Sequence, residues 1–142
     1  MLEVLFICRD ALENSVVSNL AVAIEMKKSG TNVGVLFTEE ALAAMAGGVM
    51  DWSPLLRDRE TRTTVAKAAA GLGIPWAAQD PRWTRPGQVL AAAKAAGVSL
   101  LACPMWTEML GAKGKLPAEL GLLDLPTALK TIKEAQVVIG SF

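Results

Sequence analysis

The chain has 142 residues, 52% of them hydrophobic, with fourteen basic and fourteen acidic side chains that cancel. It lacks histidine and tyrosine and has two cysteines, which excludes Ser-His-Asp and Cys-His catalysis, histidine metal sites and a cysteine-only zinc site, and leaves the thiols as the most reactive nucleophiles. No basic stripe points to nucleic acid or a membrane surface, and neither the motifs nor the composition call for a cofactor.

The mean hydropathy of +0.37 is high for a soluble domain. Charges at Lys67, Asp80, Lys94 and Glu108 nevertheless break up the apolar stretches before they could span a bilayer. The first ten residues lack the basic start and small-residue cleavage site of a secretion signal. These features predict one soluble, cytoplasmic domain over 1–142, with surplus apolar surface suited to a subunit interface.

Residues 2–8 form a nearly unbroken apolar run, as expected of a strand covered on both faces. A helix follows, starting at Asp10, where Glu13 would complete a capping box, or at Asn14. Val16, Val17, Leu20, Ala23 and Ile24 recur at helical spacing, and Lys27-Lys28-Ser29-Gly30 closes the element. Residues 32–37 read as a second strand. Thr38 is placed to cap a second helix, with Glu39 and Glu40 in its first turn and Gly47 at its end. That pair reads as helix-start charge more readily than as a catalytic carboxylate pair. The alternation of strand and helix predicts a parallel sheet with right-handed crossovers.

Residues 48–85 make an irregular connector holding three of the four tryptophans, with a helix over 61–70. Its aromatics suit core packing, a subunit interface or a pocket lid. A helix from Pro86 ends at Gly97. An apolar strand over 98–102 then meets Cys103, and Pro104 opens a short helix that stops at Gly111. After an aperiodic link, with a short strand near Leu122 and Leu123, come a helix over 126–135 and a closing strand over 136–140. The predicted fold is therefore a three-layer α/β domain with a mostly parallel sheet of four to five strands flanked by helices.

Ligands of open parallel sheets gather beyond the carboxyl ends of the strands, where Cys8, Thr38 and Cys103 all fall. At a helix N-cap, Cys103 is placed where peptide N–H groups favour a thiolate, the setting of a nucleophile; the alternative is a small apolar residue packed at a strand end. Cys8 is a candidate resolving or relaying thiol, and a dithiol reading requires its Cα within about 7 Å of that of Cys103. Trp106 and Glu108 lie one turn beyond Cys103, one as a bulky approach to the thiol and one as a proton acceptor or a solvated charge. The glycine clusters match neither a dinucleotide fingerprint nor a P-loop.

The stretch Gly97-Val-Ser-Leu-Leu-Ala-Cys103-Pro-Met-Trp-Thr-Glu-Met-Leu-Gly111 resembles the cysteine signature of the DsrE/DsrF-like sulfur-relay family. Val33-Gly-Val-Leu-Phe37-Thr-Glu-Glu-Ala-Leu42 is similar to that family's second strand and helix, and Glu134-Ala-Gln-Val-Val-Ile-Gly-Ser-Phe142 to its closing strand. The resemblance implies a compact α/β fold, assembly as a homo-oligomer (trimer or hexamer), and a cysteine corresponding to Cys103. That cysteine would carry sulfane sulfur as a persulfide between donor and acceptor proteins. The function it implies is that of a sulfur carrier or sulfurtransferase. The rival class is a small-ligand-binding or assembly module in which Cys103 is structural.

Overall fold

Among the described residues, five strands, β1 (Val4–Cys8), β2 (Val33–Phe37), β3 (Ser99–Ala102), β4 (Gly121–Leu122) and β5 (Val137–Ile139), hydrogen-bond in the order β4-β3-β2-β1-β5, every neighbouring pair parallel. The computed structural model describes residues 1–55 and 86–140. In chain order the elements are β1 (Val4–Cys8), α1 (Glu13–Lys28), β2 (Val33–Phe37), α2 (Glu39–Gly47), α3 (Pro86–Ala95), β3 (Ser99–Ala102), α4 (Pro104–Met109), β4 (Gly121–Leu122), α5 (Leu125–Glu134) and β5 (Val137–Ile139). The helix expected over 61–70 and most of the tryptophan-bearing connector lie outside the described residues.

Period-two alternation divides the strand side chains between two layers. Phe6 and Cys8 of β1, Val33, Val35 and Phe37 of β2, and Leu100 and Ala102 of β3 turn to one face, where they pack with Val16 and Leu20 of α1 and Val89 and Ala93 of α3. Central β2 is buried along its whole length, which explains its lack of polar alternation. Leu5 and Leu36 point to the opposite face and are also buried. The chain reaches that face through α5, which returns from β4 at one edge to β5 at the other. A right-handed crossover in this reversed direction places the helix opposite α1 and α3. Thr127 and Thr131 of α5 accordingly share a cleft with Ser99 of β3.

The helix ends show how local signals were used. Neither Asp10 nor Asn14 caps α1: Leu12 is the N-cap and makes no side-chain bond. The reason is tertiary. Leu12 forms a parallel bridge with Asp51, whose carbonyl accepts the Glu13 N–H at 2.8 Å, so backbone does the work of a cap. Asp10 accepts from the Ser15 hydroxyl at 3.0 Å instead, and the Asn14 side-chain oxygen accepts from the Ser53 N–H at 2.9 Å. Thr38 is the N-cap of α2, as expected, but its hydroxyl makes no capping bond. Gly48, one residue beyond the predicted stop, takes the left-handed conformation that ends that helix (φ 65°). The fifth strand near Leu122 is present as two-residue β4 at the sheet edge.

Candidate functional site

The carboxyl ends of β1, β2 and β3 stand side by side. Cys8 pairs with Phe37, and Phe37 with Ala102. The ladder runs one step past the strands, since Thr38 N–H donates to the Cys8 carbonyl at 3.0 Å and Cys103 N–H to the Phe37 carbonyl at 2.9 Å. The rim therefore carries Cys8, Thr38 and Cys103 in adjacent rows, as their position after three strands predicts.

Cys103 is held from both sides. Its N–H is bound to β2, and its carbonyl accepts both the N–H (2.9 Å) and the hydroxyl (2.8 Å) of Thr107. Its backbone is extended (φ −63°, ψ 120°), it is the N-cap of α4, and Pro104 follows at the first helical position. Proline brings no N–H, which leaves Met105 and Trp106 to supply the free donors of that turn. Cys103 is free and half-buried, and it and Trp106 each pack against the core. Gly111 (φ 57°) closes the turn where the sequence places the stop.

Cys8 has a different environment. It is 0% exposed, faces α1, and has the Asn19 side-chain nitrogen 3.8 Å from its sulfur. Burial pushes its thiol up to about 12; the nearby Asp10 carboxylate adds to this, and a backbone hydrogen bond from Asp10 opposes it. Cys8 ends β1 and Cys103 follows the end of β3, with β2 between the two strands. With strands about 4.8 Å apart, their Cα atoms stand roughly 10 Å from each other, too far to be bridged. Both are free.

Thr38 is buried and followed by Glu39, which holds a left-handed backbone (φ 52°) costing about 1–2 kcal/mol for a residue with a Cβ. The Glu39 carboxylate lies 3.5 Å from Arg9 Nε across the rim, a largely exposed pair that contributes little to stability. Helix position and this pairing account for Glu39 without a catalytic role.

Glu108 is exposed and lines a cleft of about 610 Å³ between α4 and the β4–α5 segment. Ala102 and Pro104, the neighbours of Cys103, line it too, together with Met105, Met109, Leu122 and Leu125. Cys103 and Trp106 are not among its walls. Sequence reasoning missed this cleft because its outer wall comes from the aperiodic link. A usable signal was present in Asp124-Leu-Pro126, an acidic N-cap before a helix-starting proline. Asp124 does cap α5, accepting the Thr127 N–H at 2.7 Å, and this bond holds its carboxyl below the usual range. Among the described residues no group of three or more acidic or cysteine side chains is gathered to hold a metal ion, and no helix is long and apolar enough to cross a membrane.

The parallel five-stranded sheet in this order, with helices on both faces, is the single α/β architecture that the alternation of strands and helices predicts. The solved structure titled "Crystal structure of ychN protein from E.coli" has the same fold: it is 16% identical, the match covers 99% of each chain, and the TM-score is 0.61. No family model and no curated protein matches the sequence.

Proposed function

We propose that this protein is a sulfur carrier or sulfurtransferase that holds sulfane sulfur as a persulfide on Cys103. The observation that carries the reading is the junction itself: a free, half-buried thiol just past the end of β3, its backbone bound on both sides, on the rim where parallel sheets present ligands. The shared fold with the YchN protein and the resemblance around Cys103 support it. The Cys103 thiolate attacks the outer sulfur of a donor persulfide. A new S–S bond forms, the donor's S–S bond breaks, and the donor leaves as a thiolate. An acceptor thiolate then attacks the outer sulfur and releases Cys103 as the leaving thiolate. Trp106, half-buried one turn on, limits the approach to the thiol, Thr38 supports the adjoining backbone row, and Glu108 belongs to the neighbouring cleft. Cys8 serves packing.

In this reading the protein is cytoplasmic, acts between donor and acceptor proteins, and forms a trimer or hexamer. Incubation with a persulfide donor followed by intact-mass measurement should show a 32 Da adduct, about one sulfur atom per chain. Cys103→Ser should remove the adduct and Cys8→Ala should retain it, both with unchanged far-UV circular dichroism. An adduct that persists in Cys103→Ser overturns the proposal.

A second reading, a binding module with a structural Cys103, is favoured by the cleft, because its walls exclude the thiol.

A further inference from the structure

The cleft between α4 and the β4–α5 segment lies at the carboxyl ends of β3 and β4 rather than at the β1 rim. Its volume of about 610 Å³ falls in the range of small-molecule sites, roughly 300–1,000 Å³. Its walls are apolar yet open to water: Met105 and Met109 on α4 are 53% and 63% exposed, and Leu122 and Leu125 opposite are 54% and 51%. Methionine walls adapt to the shape of an occupant. The polar groups lining the cleft are unequal in sign, with carboxylates from Glu108 and Asp124 against the single ammonium of Lys113. None of the three makes an ion pair with another described residue. An anionic occupant would meet an excess of negative charge, whereas an apolar body ending in one positive charge matches both the walls and the lip.

We infer that this cleft binds a small amphiphilic cation, its hydrocarbon part between Met105, Met109, Leu122 and Leu125 and its protonated amine toward Glu108 and Asp124. The inference rests on the binding reading of the cleft and is independent of sulfur chemistry at Cys103.

Titrating the full chain with octylammonium, octanoate and octanol below their micellar concentrations, by calorimetry at low salt, tests it. Octylammonium should bind about fivefold more tightly than octanoate, and the preference should shrink toward one at 0.5 M salt. Glu108→Gln should cut the preference while leaving octanol affinity unchanged. Met109→Lys should weaken octylammonium about tenfold by placing a charge among the apolar walls. Cys103→Ser should bind as wild type does, so loss of persulfide loading leaves this result intact. Equal affinity for cation and anion, or binding indifferent to Met109→Lys, overturns the assignment. Absence of amphiphile binding, with Met109→Lys converting an oligomer to monomers in sedimentation, identifies a second copy as the occupant and also overturns it.

Discussion

Two cysteines at the same rim of the sheet differ in burial because one is the last residue of its strand and the other lies just past the end of its own. Cys8 shares the face of Phe6 and Val4 and is closed in by α1, with Asn19 against its sulfur. Cys103 stands one residue beyond β3, where the chain has already turned into α4. The buried thiol makes a measurable prediction. In the unfolded chain it loses its proton near pH 9, but in the folded chain only near 12. Between these values the native state binds more protons, so stability falls as pH rises, by up to about 1.4 kcal/mol per pH unit. Below pH 9 the contribution is fully present. Urea unfolding of wild type and Cys8→Ala at pH 8, 9.5 and 10.5 should show the wild type losing stability faster. Parallel curves would mean that the fold does not hold this thiol neutral.

At the scale of elements, the strongest steric constraint lies where the N-terminal segment crosses the sheet at β2. A Cβ on Gly34 would meet a Leu2 methyl at 2.6 Å and the Ser99 carbonyl oxygen at 3.3 Å. The nearer obstacle is the tip of a flexible side chain, and the farther one is fixed backbone of β3. Gly34→Ala should therefore destabilise by about 1–2 kcal/mol. In a double-mutant cycle with Leu2→Ala, much of that penalty should vanish, because the methyl it displaces is gone. Additive effects in denaturant unfolding would place the strain at Ser99 instead. The same scale explains the missed cap of α1. Asp10 and Glu13 have the spacing of a capping box, yet the bridge from Leu12 to Asp51 satisfies the helix start with backbone, and that partner is 38 residues away from Glu13 in sequence.

At the scale of the molecule, apolar surface among the described residues remains in water on α5 and β5. Beyond the cleft, Ala128, Leu129 and Ile132 give α5 an apolar face on which only Ala128 is buried. At edge strand β5, Val137 and Val138 are about half exposed. Such a surface is characteristic of an assembly. Sedimentation equilibrium at micromolar concentration should give three or six times the 15.0 kDa chain mass. Val138→Lys should lower that mass without altering the secondary structure. A wild-type monomer would contradict the oligomer.

Sequence alone determined the order of the described elements, the parallel α/β class, the strand–Cys103–Pro104–helix junction, and the placing of Cys8, Thr38 and Cys103 at strand ends. These follow from hydrophobic runs, caps and proline and glycine stops, which act over a few residues. Tertiary structure alone decided that Cys8 is sealed in the core and that Leu12 replaces Asp10 as a cap. It also decided that α4 and the β4–α5 segment enclose a cleft whose walls exclude Cys103. Each of these depends on which distant segment lies opposite, and a near-continuous apolar run such as β1 or an aperiodic link such as 112–120 carries no local mark of that partner.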